Sequence, residues 1–262
     1  MPRRDRYRLD EALVERGLAE TRSRARALIL AGNAMVNGEA VTHAGANIRR
    51  DDALSLKAPP RYASRGGEKL ESALNAFDFD VRNMVCADFG ASTGGFTDCL
   101  LQRGAARVFA IDVGYGQIVD KLRRDARVVV MDRVNVRNLE SLAEVTDLVT
   151  IDVSFISLKL VLPAAQRVMK EDGHILALVK PQFEAGRGAV GRGGVVRDPT
   201  THCQVLQSLF ETARQLDLGV IGLHASPLRG PAGNVEFLAL MAPSEISIPT
   251  DVAIERVLAG VP

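Results

Sequence analysis

Four charged residues stand where the surrounding sequence makes charge costly. Lys69 follows Arg65-Gly66-Gly67-Glu68 and starts a helical stretch (Leu70, Ala73, Leu74, Phe77). Asp152 closes the apolar run Leu148-Val149-Thr150-Ile151, and Lys180 closes Ile175-Leu176-Ala177-Leu178-Val179 ahead of Pro181. Glu236 interrupts the stretch Val235, Phe237, Leu238. A charge buried alone carries a heavy desolvation cost, so each of these needs a partner of opposite sign. Two amines and two carboxylates converging on one place can orient one another and move a proton. They can also be two ion pairs that happen to line a cleft, and position alone leaves both readings open.

A second set of residues is suited to a small ligand. Asp88-Phe89-Gly90-Ala91-Ser92-Thr93-Gly94-Gly95-Phe96-Thr97 runs from a strand end into a helix start. Its glycines let backbone approach a ligand closely, and the helix N-terminus offers free N–H groups. Asp88, Gly90, Ala91, Ser92, Thr93, Gly94 and Gly95 are the candidate binding residues. No Gly-Lys-Ser/Thr follows, so this is not a Walker loop, and its Gly-x-x-x-Gly-Gly spacing departs from Gly-x-Gly-x-x-Gly. Asp112 ends the next strand, about where an acidic residue holds ribose hydroxyls in dinucleotide folds. Asp132 closes the third, placed to meet an adenine amino group. The alternative for each carboxylate is a helix N-cap or a solvated loop.

The elements that must position these groups alternate. Strands are predicted at 85–89, 108–112, 128–132, 148–153, 175–180, 219–225 and 235–241, with helical stretches between most of them, the pattern of a doubly wound α/β sheet. Several are continuous apolar runs, as parallel strands buried on both faces require. Only a turn joins the last two, so they pair antiparallel. The C-terminal strand ends of such a sheet face the ligand crevice, where Asp152 and Lys180 would project together. Seven strands ending in an antiparallel hairpin point to a Rossmann-like, class I S-adenosylmethionine-dependent methyltransferase sheet rather than a nicotinamide dehydrogenase. In that setting Asp88 would attract the cationic methionine end of the cofactor.

Charge divides the chain. In total, 33 Lys and Arg against 32 Asp and Glu leave +1, which taken alone argues against a nucleic-acid partner. Residues 1–60 hold 11 and 8, however, and the remainder 22 and 24. The excess lies at Arg3, Arg4, Arg6 and Arg8, read as a disordered arm, and at Arg22, Arg24 and Arg26. The second group sits on a helical stretch, as either a phosphate-binding face or a solvated one. A helix from Arg8 ends at Gly17, Thr21 offers an N-cap for a second that ends near Gly32, and Asn37-Gly38 between short apolar runs predicts a hairpin. Pro59-Pro60 marks a boundary. The resulting organisation is a domain of residues 1–60, a linker at 61–66 and a larger domain over 67–262.

The helix–helix–hairpin order, with Ser23-Arg24 opening the second helix and Val36-Asn37-Gly38 in the hairpin, resembles the S-four type RNA-binding domain, a small α+β module. That resemblance implies docking on structured RNA through Arg4, Arg6, Arg22, Arg24 and Arg26. Lys69, Asp152, Lys180 and Glu236 match, in order and context, the tetrad of FtsJ-like ribose 2′-O-methyltransferases. The strings at 64–70, 88–97, 152–158, 179–184 and 226–237 look like the TlyA family, often labelled hemolysin, which joins these two domains. The match covers nearly the whole chain; Ala63 departs from the Val that commonly precedes the Ser. The resemblance implies S-adenosylmethionine-dependent methylation of cytidine ribose 2′-hydroxyls, with ribosomal RNA or ribosomal subunits of the large and, for some members, the small kind as partner. The chemistry of methyl transfer to a hydroxyl, which must lose its proton, then suggests roles within the tetrad. Lys180 would take the hydroxyl proton, its ordinary pKa of about 10.4 lowered by burial and by the like charge of Lys69. Asp152 and Glu236 would orient the amines.

In the Gly/Arg stretch at 186–197, Arg187 and Arg192 are candidates for RNA phosphate if the loop closes over the catalytic strand ends; a flexible surface loop is the other reading. Phe96, Phe155 and Phe183 are candidates to stack on a base or to fill the core. Cys86, Cys99 and Cys203 are too few for a disulfide framework, and neither they nor His43, His174, His202 and His224 have metal-ligand spacing, so no metal is expected. With no apolar run near the roughly 18 residues of a membrane helix and a polar N-terminus, a cytoplasmic protein is expected and a membrane-active one has no supporting segment. An assembly factor with an inactive enzyme domain is opposed by the intact tetrad, and a small-molecule methyltransferase leaves the N-terminal module unexplained.

Overall fold

The computed structural model describes residues 6–58, 60–244 and 247–261; Arg4 lies outside them, as do the side chains of Arg187 and Arg192. The chain divides into two compact units, Met1–Pro60 and Arg61–Pro262.

In the first unit, helices α1 (Leu9–Glu15) and α2 (Arg22–Leu30) bury Leu9, Ala12, Leu13, Ala25 and Ile29 against Ala34 and Ile48. The Thr21 hydroxyl accepts a hydrogen bond from Arg24 N at 3.1 Å, capping α2. Strands β2 (Ala34–Val36) and β3 (Glu39–Val41) form the expected hairpin. Asn37 and Gly38 both take positive φ (52° and 85°), as the tight turn between twisted strands demands. Two features differ from expectation. Arg6–Arg8 is a strand, β1, paired antiparallel with β4 (Asn47–Arg49), not a free arm, because Tyr7 and the buried Ile48 face each other across the ladder. The polar stretch after the hairpin also ends in β5 (Leu54–Leu56), a third strand on β2.

The carboxylate of Asp10 is wholly buried and gathers the arginines. Arg8 donates to both its oxygens at 2.9 and 3.0 Å, Arg22 Nε donates at 3.0 Å, and Arg26 Nε lies 3.9 Å away. Arg22 and Arg26 reach it together because residues four apart share a helix face.

The second unit is a seven-stranded sheet made of β6 (Val85–Phe89), β7 (Arg107–Asp112), β8 (Val128–Asp132), β9 (Thr146–Ile151), β10 (Met169–Val179), β11 (Leu218–Ala225) and β12 (Phe237–Pro243). Its order is β11-β12-β10-β9-β6-β7-β8. The five strands from β10 to β8 run parallel, and β12 is antiparallel to both neighbours. Side chains alternate between faces. Ala87, Phe89, Val149, Ile151 and Ala177 pack under α6 (Leu162–Val168), α8 (Pro199–Arg214) and α9 (Thr250–Ala259). Cys86, Leu148, Leu176 and Leu238 pack under α3 (Gly66–Ala76), α4 (Gly95–Gln102) and α5 (Asp120–Arg123). The segment read as a linker packs with this unit: Tyr62 is buried in its core and Gly66 begins α3. Among the described residues, no helix is long and apolar enough to cross a membrane.

The buried Asp10 yields a test. Arg8 and Arg22 hold its carboxyl well below the usual carboxylate range, so its stabilising effect is complete above the unfolded value of about 4 and fades as pH falls below it. Asp10→Asn is expected to lower the stability of the first unit by about 2 kcal/mol at neutral pH, read by urea denaturation, with little difference from the parent in strong acid.

Candidate active site

The strand order reverses on either side of β6, with β7 on one flank and β9 on the other, and ligands of open α/β sheets bind at such a reversal. The loop after β6 turns there. Gly90 (φ 85°) and Ala91 donate their N–H groups to Ile111 O at 2.9 and 3.1 Å, and Ser92 N donates to Asp112 Oδ2 at 2.8 Å. A Cβ on Gly90 would stand 2.7 Å from the carbonyl oxygen of Asp152, so no larger residue fits between these strand ends. Three hollows open from this point, of about 220, 460 and 480 Å³, all sharing Gly90, Ser92 and Asp152 in their walls.

The 480 Å³ hollow brings Lys69, Asp152, Lys180 and Glu236 together. Lys69 Nζ, from the first turn of α3, donates to Glu236 Oε2. Lys180 Nζ pairs with Asp152 Oδ1 at 2.7 Å and donates to Val153 O at 2.9 Å and Ser154 Oγ at 3.0 Å. Both lysines are 8% exposed and Glu236 1%. Asp152 and Lys180 lie one residue past β9 and β10, and Glu236 one residue before β12.

The 460 Å³ hollow is walled by Ile111, Val113, Val134 and Val136, with Asp112 at one side. Asp112 is half-buried and accepts from Ser92 N and Gly114 N (2.7 Å), so it joins two loops while facing the hollow. Ala91, Thr93 and Gly95 line the smallest hollow, beside Ser64 and Lys69.

Three expected ligand residues do not face these spaces. Asp88 is wholly buried one residue before the end of β6, where its side chain turns toward α4. It accepts from Thr97 N (2.9 Å), Thr97 Oγ1 (2.6 Å) and Thr150 Oγ1 (3.2 Å), so its bonds join β6 to α4 and β9. Asp132 is turned to Arg123 (3.3 Å) and Gly116 N (3.2 Å), and residues 134–137 line the hollow instead. Gly94 N-caps α4, and a Cβ there would strike Leu122 at 2.3 Å. Of the RNA-contact candidates, Arg6, Arg22, Arg24 and Arg26 are all exposed on the first unit.

Other side chains at the site gave no local signal. Asn234 is buried, accepting from Val196 N and donating to Gly194 O, both at 2.9 Å, and so ties the Gly/Arg loop to the segment carrying Glu236. Gly193 and Gly194 consequently line the 480 Å³ hollow. Gly230 leaves room for Glu236, whose Oε1 would lie 2.5 Å from a Cβ. Phe96 is core, whereas Phe155 has φ 63°, is 90% exposed and sits with its ring 5.0 Å from that of Phe183.

Residues 62–242 match the FtsJ-like methyltransferase family, and residues 8–54 match the S4 domain. The chain belongs to the FtsJ-like methyltransferase family. Among FtsJ-like relatives, it is 49% identical over 236 residues to Bacillus subtilis YqxC, provisionally named an rRNA methyltransferase (88% of this chain, 84% of that one). It is 47% identical over 236 residues to the 16S/23S rRNA (cytidine-2′-O)-methyltransferase TlyA of Mycobacterium tuberculosis (88% of each). A Streptococcus thermophilus structure provisionally described as a hemolysin superposes with a TM-score of 0.76 at 42% identity, covering 98% of this chain and 95% of that one.

Burial, opposed by the Thr97 hydrogen bonds and reinforced by the nearby Asp152 carboxylate, pushes the Asp88 carboxyl up to about 7. A raised acid binds protons in the folded state that the unfolded chain has released, so its effect on stability declines as pH climbs from about 4 to 7. Asp88→Asn is expected to flatten that part of the profile: the melting temperature of the parent falls more between pH 5 and pH 8 than that of the variant.

Proposed function

We propose that this chain transfers a methyl group from S-adenosylmethionine to the 2′-hydroxyl of a cytidine ribose in ribosomal RNA, acting in the cytoplasm on ribosomal subunits. The observation that carries the reading is the set of two buried Lys–carboxylate pairs in a hollow continuous with the Gly90 loop. The residues present fit the cofactor. Gly90 is a position no Cβ can occupy, the carboxylate of Asp112 suits a pair of ribose hydroxyls, and Ile111, Val134 and Val136 offer apolar walls for a flat ring. Bound there, S-adenosylmethionine would supply a methyl group activated by a sulfonium.

The chain's own residues do the remainder. A ribose hydroxyl is a weak nucleophile and must lose its proton as it attacks. Lys180 Nζ is the group placed to take that proton, while Asp152, Val153 O and Ser154 Oγ fix where the amine points. Glu236 holds Lys69 in the same hollow. Fixing the hydroxyl against the methyl carbon removes much of the entropic barrier. The exposed Phe155 ring suits stacking on the target base, and the arginines of the first unit suit RNA phosphates.

The test is labelled methyl transfer to separated ribosomal subunits that lack the modification, with the 2′-O-methyl position then mapped. Label on a cytidine ribose is expected, and none on either subunit would overturn the reading. Lys180→Ala is expected to slow transfer by about 10²- to 10⁴-fold while the protein still binds S-adenosylhomocysteine by calorimetry.

A further inference from the structure

Gln182 lies two residues beyond Lys180 in the short helix α7 (Pro181–Glu184) and lines the same 480 Å³ hollow. Its amide oxygen Oε1 is buried and accepts no hydrogen bond, a state it shares among the described residues only with the Tyr62 hydroxyl, which is in the core. An unsatisfied buried carbonyl costs about 1–3 kcal/mol, and such atoms persist where something outside the chain completes them. The neighbouring Glu184 shows that the turn itself does not impose this. Its two oxygens are both used, accepting from Ser157 Oγ at 2.7 Å and Leu158 N at 2.9 Å. Those bonds also pin α7 to the loop that carries Phe155, and the rings of Phe155 and Phe183 lie 5.0 Å apart. Gln182 and the exposed phenyl ring are therefore held in a fixed relation, and both line the hollow that Lys180 lines.

We propose that Gln182 is a specificity-determining residue, its Oε1 accepting a hydrogen bond from the exocyclic amino group of the target base. The inference rests on the function proposed above. With the ribose hydroxyl at Lys180 and the base on Phe155, the donor that completes Oε1 comes from the edge of that base. Cytosine presents an N4 amino group there, and uracil a carbonyl oxygen. Uracil would set two acceptors against each other in a space with little water, so discrimination comes from the unpaired group as much as from the bond that is made.

The experiment uses the full-length protein and two substrates: ribosomal subunits lacking the modification, with the mapped target cytidine either kept or replaced by uridine. The parent is expected to favour cytidine in kcat/KM by about tenfold or more. Gln182→Met keeps the length of the side chain and removes the acceptor; its preference is expected to shrink to within about threefold, with the loss falling on cytidine. Gln182→Glu keeps an acceptor and is expected to keep the preference. Binding of S-adenosylhomocysteine and the melting temperature of each variant report whether it is folded. If Gln182→Met slows both substrates equally, the oxygen serves the ribose hydroxyl; if it changes neither, water satisfies it. Either outcome overturns the assignment, as does a parent enzyme indifferent to the base. A parent that labels no ribose at all would instead overturn the proposed function.

Discussion

Lys69 and Lys180 each bring an ammonium to a place that water barely reaches, and each is there because a carboxylate is. Removing either carboxylate would strand a buried charge, so the pairs are a constraint on the whole sheet rather than a local detail. Their members come from four separated stretches of chain. The strand order answers that constraint. Residues just past parallel strands collect at one edge of the sheet, which accounts for Asp152 and Lys180. Glu236 reaches the same edge only because β12 runs the other way: an antiparallel strand begins where its parallel neighbours end, and β12 lies beside β10. A parallel strand in that place would carry the preceding residue to the far edge. The antiparallel hairpin is thus the topological device that supplies the fourth charge.

Two glycines follow from the same crowding. Gly90 passes so close to the Asp152 carbonyl that a Cβ would overlap it, and Gly230 leaves the volume that the Glu236 carboxylate fills. Neither is a generic loop glycine. One lets the loop after β6 and the Lys180–Asp152 pair occupy adjacent strand ends, and the other lets a carboxylate be buried at a turn.

Much of this was legible in the sequence, and what was not has a physical reason. The tetrad stood out because charge inside apolar runs is conspicuous, and the Thr21 cap and the Asn37-Gly38 turn because they are local chemistry. Asp88, Asp112 and Asp132 looked alike, each at the end of an apolar strand. Their fates differ because side chains alternate between faces. Asp88 is one residue short of the end of β6 and meets Thr97 and Thr150, whereas Asp112 is the last residue of β7 and reaches the crevice. Asp132 also ends its strand, but Arg123 lies within reach of it. No local pattern reports a partner supplied by another element. The same limit hid the pairing of Arg6–Arg8 with Asn47–Arg49, and the roles of Asn234 and Glu184, whose partners lie 26 to 40 residues away.

The two units use one interaction at different stoichiometry. In the first, Arg8, Arg22 and Arg26 surround Asp10, with the exposed Glu11 also touching Arg22, so guanidinium charge remains in excess after pairing. A buried carboxylate there holds together cations that would otherwise repel one another; any binding of a polyanion by such a face would weaken with added salt. In the second, two amines meet two carboxylates and the charge closes to zero. A neutral, water-poor cleft does not attract phosphate. It does suit a reaction between a cationic methyl donor and an uncharged hydroxyl, where a fixed excess of either sign would resist one of the partners. The total of +1 conceals this division, because the charges of the two units are balanced separately, each around its own carboxylates.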